Sequence, residues 1–303
     1  MKRLLSLLMT GVLLLSLFAC ANNAPGNHTD KLKIIATIFP QYDFARTIGG
    51  QLCDISMLVT PGTETHSFEP TASDIIELSD CDLFICTGGE SDSWIDSMLK
   101  NINNPDMTVI SLMDCIEQED EHTDHNHSHT DEHVWTSPIN AITISEEICK
   151  VMCEKDSLNA EIYKENFSSY KEKLTELDKI FRDITEKAPR NTLVFGDRFP
   201  LTHFAEEYNL NCYAAFSGCS DDTEASAATV ATLIDKVNAE NIPVILKIEL
   251  SSDNIATTIQ KETGAQIRTF YSCHNISKDD FENGETYLSL MEKNTETLRA
   301  ALY

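Results

Sequence analysis

Basic residues are scarce in this 303-residue chain, which has 23 Lys and Arg against 49 Asp and Glu and a formal charge of −26. This balance excludes a nucleic-acid partner, because binding to phosphates requires a basic surface that releases counterions. A disordered acidic chain is also excluded, since 42% of the residues are hydrophobic. The acidic surplus leaves cations as the natural class of partner, or serves only to keep the surface solvated.

Long hydrophobic runs are lacking too. The N-terminus has Lys2 and Arg3 followed by an apolar run over 4–18, shorter than the about 20 residues of a spanning helix. This pattern predicts a cleaved signal peptide, residues 1–19. The run ends in Leu17-Phe18-Ala19-Cys20, which resembles a bacterial lipobox. The resemblance implies a lipid on Cys20, so we expect an extracytoplasmic chain anchored to the bacterial cell membrane through a flexible linker, 20–31.

No CxxC pair occurs among the ten cysteines. An extracytoplasmic compartment permits disulfides, and the pairs we predict are Cys219 with Cys273 and Cys81 with Cys115. Each of these cysteines lies at the end of a predicted strand or in the loop beyond it. The alternative is that the thiols act as small buried hydrophobic groups.

Short runs rich in Ile and Val alternate with amphipathic stretches, a pattern typical of an α/β fold with parallel sheets. The runs fall into two sets, so we predict two (β/α)-type lobes, residues 32–155 and 190–303. The predicted strands are 32–39, 55–59, 83–86, 107–110, 192–195, 213–216, 244–248 and 266–270. The predicted helices include 71–79, 225–239, 255–263 and 285–302.

A long helix is predicted between the lobes, in the connecting segment 156–189. Its apolar residues recur at spacings of three and four, which places them on one stripe: Tyr163, Phe167, Tyr170, Leu174, Leu177, Phe181 and Ile184. A helix over 159–187 is about 44 Å long, enough to run along both lobes as a rigid spine. An ordinary packed helix or a coiled-coil seam explains the stripe equally well.

Five of the nine histidines lie close together, in a loop over 121–133 where they alternate with Asp and Glu. Imidazole suits Zn, Cu and Ni, so this composition predicts an auxiliary metal-binding loop. We assign that role to His122, His125, His127 and His129. A solvated insert without function is the alternative.

The fifth of these histidines, His133, begins a different sequence, His133-Val134-Trp135-Thr136-Ser137-Pro138-Ile139-Asn140. A second isolated histidine, His66, lies in a turn-rich loop that begins Pro61-Gly62 and ends at Pro70. These two patterns resemble those of the metal-binding lipoproteins of zinc and manganese ABC importers, the ZnuA- and TroA-like family. With the lipobox, the His-rich loop and the central helix, the resemblance covers nearly the whole processed chain.

The resemblance implies two lobes joined by a rigid helix, with the metal between them and two ligands from each lobe. Carried over to this chain, it makes His66 and His133 the ligands of the first lobe. The second lobe departs from the family pattern at two places. Gly196 stands where a His or Glu ligand is expected, and the segment after the last strand has His274 but no Asp.

His274 follows the predicted strand 266–270, so it is the expected substitute, with a surface or helix-capping histidine as the alternative. The fourth ligand stays open: Asp197, Glu64 and a water are the candidates, and Arg198 could instead pair with Asp197. His203 is expected to be an ordinary, partly buried histidine.

Three histidines favour Zn²⁺, whereas Mn²⁺ prefers more carboxylates. We therefore expect a monomeric receptor that captures extracytoplasmic Zn²⁺ and delivers it to an ABC importer permease. The alternatives are a manganese receptor of the same family, a zinc-dependent hydrolase and a surface adhesin. A hydrolase needs a general base, for which Glu64 is a candidate, but the sequence contains neither an HExxH motif nor a nucleophile elbow.

Overall fold

The computed structural model describes residues 31–63, 68–89, 92–117, 131–218 and 225–303. Within these ranges the chain forms two four-stranded parallel sheets with helices around them, which confirms the predicted α/β fold. The signal peptide, Cys20 and the linker over 20–30 lie outside the described residues. No helix in the described ranges is long and apolar enough to span a membrane.

The first sheet has the strand order β2-β1-β3-β4. Its strands are β1 (Leu32–Ala36), β2 (Cys53–Met57), β3 (Leu83–Cys86) and β4 (Thr108–Ser111). The accompanying helices are α1 (Phe39–Gly49), α2 (Ala72–Leu78), α3 (Ser93–Leu99), α4 (Leu112–Glu117) and α5 (Pro138–Lys155), with 3-10 turns at Gly50–Leu52 and Val134–Thr136. Thr71 caps α2, because its side chain accepts the Asp74 N–H.

The second sheet has the matching order β6-β5-β7-β8. Its strands are β5 (Thr192–Phe199), β6 (Asn211–Ser217), β7 (Val244–Lys247) and β8 (Gln266–Thr269). The helices described in this part of the chain are α7 (Thr202–Glu207), α8 (Ala227–Glu240), α9 (Asn254–Thr263), α10 (Lys278–Glu282) and α11 (Tyr287–Leu302).

The strand order reverses once in each sheet, between β1 and β3 and between β5 and β7. In open parallel sheets the crevice beyond the carboxyl ends of such neighbouring strands is where ligands bind. Thr37 and Thr87 follow β1 and β3 in the first lobe, and Glu249 follows β7 in the second. These loops therefore mark the expected position of a binding site.

The connecting helix α6 (Ala160–Lys187) is 28 residues long, about 42 Å. Its predicted apolar stripe is buried apart from Phe167, which is partly buried. The stripe packs against α1 and α5 from the first lobe and α11 from the second. One apolar core thus runs through both lobes, and α6 forms its axis.

The structure corrects two expectations, the extent of the first strand and one disulfide. The first strand was expected to continue to residue 39, but α1 begins at Phe39 because Pro40 occupies its first turn, where a missing N–H costs nothing. The disulfide predicted between Cys81 and Cys115 is wrong, since both thiols are free. Cys81 donates to the sulfur of Met107 and Cys115 to the Ser111 carbonyl. Cys273 is a buried free thiol, and Cys219 lies outside the described residues.

Candidate metal centre

Two of the predicted ligands, one from each lobe, lie against one another. His133 precedes the 3-10 turn before α5, and His274 follows β8. Their ring centroids are 4.9 Å apart, with the ring planes at 83°. The structure therefore brings together two imidazoles that are separated by 141 residues in the sequence.

The ring of His133 is held in one orientation by Asp131. The Nδ1–H of His133 donates to Asp131 Oδ1 over 2.5 Å, and the backbone N–H of His133 donates to the same oxygen over 3.0 Å. A proton on Nδ1 leaves the lone pair of a neutral imidazole on Nε2, the nitrogen that then coordinates a metal. His133 itself is 0% exposed.

Asp131 is in turn fixed by the second lobe. The Thr202 hydroxyl donates to its Oδ2 over 2.6 Å, and His203 Nε2–H donates to its backbone carbonyl over 2.7 Å. Burial alone would raise the pKa of Asp131, but its hydrogen bonds with His133 and the Thr202 hydroxyl hold that pKa well below its usual range. His203 is partly buried, as expected, and together with Thr202 it contacts Asp131, the residue that orients His133.

Trp135 packs against both histidines, with ring centroids 5.3 Å from His133 and 5.5 Å from His274. Its Nε1–H donates to the Ser272 carbonyl over 3.0 Å, and its own carbonyl accepts the Tyr287 hydroxyl over 2.7 Å. Both partners belong to the second lobe. Trp135 therefore links the two lobes next to the histidine pair.

The loop that carries His274 is strongly constrained. Cys273 has a positive φ of 59°, an unfavourable conformation for a residue with a Cβ, and its side chain is fully buried. The side-chain amide of Asn275 donates to the Thr63 carbonyl, and Gly62 N–H donates to the Ile276 carbonyl over 2.8 Å. The loop is thus fastened to the first-lobe segment that leads toward His66.

His66 and Glu64 lie outside the described residues, as do the four histidines of the auxiliary loop. The residues on either side of 64–67 are described. Thr63 lines the same cavity as His274, and Phe68 lines a second, small cavity that His274 also borders, together with Thr37 and Thr87. Both described ends of this loop therefore line cavities that His274 also borders.

The larger cavity has a volume of about 300 Å³ and is lined mainly by residues of the second lobe, with Gly62 and Thr63 from the first. Glu249 and His274 both border it. The Glu249 carboxylate accepts the Ser272 N–H and the Ser272 hydroxyl, each over 2.7 Å. Burial raises the pKa of Glu249, and the hydrogen bonds from Ser272 oppose that rise.

Glu249 is a residue of this cavity that the sequence reasoning did not single out. It directly follows the apolar run that forms β7, so the rule that drew attention to His274 applies to it as well. Histidine was treated as the informative residue type, and a single Glu in an acidic chain did not stand out.

Asp197, a predicted candidate for the fourth ligand, has its carboxylate turned toward the protein. Oδ2 accepts the Ile248 N–H over 2.9 Å and the Ser251 hydroxyl, and Oδ1 accepts the Arg198 N–H over 2.8 Å. Arg198 thus contacts Asp197 through its backbone. Among the described residues, no three His, Cys, Asp or Glu side chains form a group that could hold a metal ion. The histidine pair therefore needs at least one more donor.

Comparison with known proteins agrees with a metal site. A family model described as ZnuA, the periplasmic component A of a zinc-uptake complex, matches residues 34–301. The high-affinity zinc uptake system protein ZnuA of Bacillus subtilis is 30% identical over 298 residues, covering 94% of this chain and 93% of that protein.

The zinc-binding lipoprotein AdcA of Streptococcus pneumoniae is 31% identical over 315 residues, which cover 99% of this chain and 61% of AdcA. The chain thus spans 61% of the length of this relative. The crystal structure of the Zn(II)-bound ZnuA-like domain of AdcA superimposes with a TM-score of 0.76 at 28% identity, covering 90% of this chain and 99% of that domain.

Proposed function

Because the chain belongs to the ZnuA family of zinc-uptake components, we propose that it is an extracytoplasmic receptor that captures Zn²⁺ between its lobes and delivers it to an ABC importer. The observation that carries this proposal is the His133–His274 pair, with one imidazole from each lobe and the first of them oriented by a carboxylate. Zinc accepts imidazole nitrogen readily and favours small, nearly tetrahedral sites. The proposed receptor binds and releases its ion without catalysing a reaction.

The proposed ligand set starts from His66, His133 and His274. Support for His66 comes from its neighbours, since Thr63 and Phe68 both lie in cavities that His274 borders. Asp197 is left out of the set, because its carboxylate is already bonded to the backbone at Ile248 and Arg198. Glu64 stays a candidate from the sequence alone.

The lipid anchor on Cys20, the monomeric state and docking to a permease complete the proposal. The lipobox-like sequence supports the anchor, and the pneumococcal relative is described as a lipoprotein. Docking would use the exposed surfaces of both lobes near the cleft. The acidic surface attracts divalent cations to the outside of the membrane.

Zinc titration of the processed chain, residues 20–303 without lipid, tests the central claim. We expect one tightly bound Zn²⁺ per chain, detected by competition with a chromophoric chelator, and a change in tryptophan fluorescence at the same stoichiometry. A chain that binds no zinc more tightly than the chelator, or prefers Mn²⁺ over Zn²⁺, contradicts the proposed function.

Asp131→Asn is expected to weaken zinc binding about 10- to 100-fold, the usual effect of removing a carboxylate that orients a metal-binding histidine. The asparagine side chain keeps the shape of the aspartate but lacks the negative charge that stabilises the Nδ1–H of His133. The measurement is the zinc dissociation constant by chelator competition. Asp114→Asn is the matched control, since Asp114 is exposed on α4 and contacts neither histidine. Equal affinities for the two variants would contradict the orienting role.

Deletion of residues 122–129 is expected to leave the tight site within about threefold of its original affinity, a change of less than 1 kcal/mol. The same deletion should remove weakly bound ions, because closely spaced histidines can bind an ion weakly in several alternative combinations. Equilibrium dialysis with excess zinc counts these ions. Loss of the tight site on deletion would mean that the auxiliary and receptor roles are reversed.

A further inference from the structure

Tyr287 belongs to the second lobe, yet its backbone N–H and its hydroxyl both bond to the first. It is the first residue of α11 and is fully buried. The N–H donates to Asp43 Oδ2 in α1 over 2.8 Å, and the hydroxyl donates to the Trp135 carbonyl over 2.7 Å. Burial raises the pKa of the Tyr287 hydroxyl well above its usual value, so the hydroxyl stays protonated and remains a donor. Tyr287 therefore connects α1 to the segment that begins with His133.

Asp43, at one end of this connection, is itself held in place. Its side chain is fully buried, and Oδ1 accepts a hydrogen bond from the Arg46 guanidinium. The same guanidinium donates to the Glu285 carbonyl over 3.4 Å. Burial raises the pKa of Asp43, while the charge of Arg46 and the Tyr287 N–H oppose that rise. Asp43 and Arg46 together hold the backbone on both sides of Thr286, the residue that caps α11.

The other end of the connection reaches the histidine pair. Phe44 of α1 packs edge-on against the Tyr287 ring, with the ring centroids 5.0 Å apart, which limits the movement of that ring. The Tyr287 hydroxyl holds the Trp135 carbonyl, and the Trp135 ring packs against both His133 and His274. Close-packed side chains transmit small displacements to their neighbours. A shift of the Tyr287 hydroxyl is therefore passed through Trp135 to the two imidazoles.

We propose that Tyr287 is a positioning residue for the His133–His274 pair. It acts through Trp135, and Asp43 holds it in place for this role. None of these three residues is assigned a contact with the ion. The inference rests on the proposed function for its effect on zinc, whereas its effect on the histidine pair is measurable without metal. A buried carboxylate is costly unless it is bonded, and holding the start of α11 gives Asp43 a role that offsets this cost.

The test compares two variants of the processed chain that lose the same chemical group. Tyr287→Phe removes the hydroxyl and keeps the ring. Tyr163→Phe is the matched control, because Tyr163 is also fully buried and its hydroxyl donates to Asp156 over 2.7 Å, near the turn between α5 and α6. Both substitutions remove a hydrogen bond of a buried tyrosine, so both should lower the unfolding midpoint without zinc. A purely stabilising role for Tyr287 predicts no other difference between them.

NMR of the metal-free chain measures the positioning effect directly. We expect Tyr287→Phe to shift the indole N–H resonance of Trp135 and the imidazole resonances of both histidines, whereas Tyr163→Phe leaves them in place. The Trp135 indole is a sensitive reporter, because its N–H donates to the Ser272 carbonyl over 3.0 Å. Its signal is assigned by its absence from Trp135→Phe. Unshifted Trp135 and His274 signals in Tyr287→Phe overturn the inference.

Zinc affinity is the second readout. Tyr287→Phe should weaken zinc binding about 5- to 10-fold, less than the loss expected for a residue that bonds directly to a metal-binding histidine. Tyr163→Phe should stay within about twofold of the unaltered chain. Asp43→Asn should weaken binding too, and its combination with Tyr287→Phe should bind no more weakly than the weaker of the two single variants, since residues in one network are not additive. Additive losses overturn the part assigned to Asp43.

Failure of the inference can be told apart from failure of the proposed function. If the unaltered chain binds one zinc tightly and Tyr287→Phe matches Tyr163→Phe in both readouts, the receptor stands and Tyr287 only stabilises the fold. If the unaltered chain binds no zinc tightly, the proposed function itself is wrong. The NMR comparison without metal then still decides whether Tyr287 positions the histidine pair.

Discussion

Replacing His274 by alanine is expected to weaken zinc binding by about 1,000-fold or more, which corresponds to about 4 kcal/mol. Loss of a residue that only orients a ligand costs about 10- to 100-fold, and His274 is proposed to touch the ion itself. Its ring packs against His133 and Trp135, so its loss also opens the space between the lobes. The measurement is chelator competition on the processed chain.

The fold should survive this substitution. The loop keeps its anchors on both sides of position 274, because Ser272 binds Glu249 and Asn275 binds the Thr63 carbonyl through groups that the substitution leaves in place. The unfolding midpoint without zinc is the control for this. His28→Ala serves as a second control, since His28 belongs to the linker before the first strand. Zinc binding by His274→Ala as tight as that of the unaltered chain would remove the second-lobe ligand from the proposal.

Gly196→Ala is expected to destabilise the protein by about 2–4 kcal/mol, and Gly196→His by at least as much. The added Cβ would lie 2.7 Å from the Ala256 Cα, and a backbone atom cannot turn away as a flexible side chain can. Ala256 is itself fully buried in α9. At about 2–4 °C per kcal/mol, the unfolding midpoint should fall by roughly 5–15 °C.

A glycine elsewhere provides the comparison. Gly264 has a positive φ of 77°, and a Cβ added there would meet no atom within 4 Å, so Gly264→Ala costs only the backbone strain, about 1 kcal/mol. Thermal unfolding without zinc compares the two. The contrary result is that Gly196→His has the same unfolding midpoint as the unaltered chain and binds zinc more tightly. Position 196 would then be open to a ligand, and the close packing against Ala256 would not be rigid.

Periodicity predicted the architecture well where the pattern was long. The stripe from Tyr163 to Ile184 recurs over six helical turns, and a helix of that length is the structure most consistent with it. Helix α1 was missed because it begins directly after the apolar run of β1, and the run hides the change of period at Phe39. Short runs give the same signal in a strand and in a buried helix.

The candidate site was likewise only partly predictable from the sequence. His133 and His274 were identified because each stands at a recognisable boundary in the sequence. The link from Thr202 and His203 through Asp131 to His133 joins residues about 70 positions apart, and neither lobe alone contains it. Such contacts depend on how two lobes pack, which no local pattern records. Glu249 was readable from its position after β7, but its Ser272 partner was not.

The burial of His133 sets the order of contacts in the proposed receptor. His133 is fully shielded, whereas Leu250, beside Glu249 in the lining of the larger cavity, is 53% exposed. His274 lines that cavity, so an ion that enters through it would contact His274 before His133.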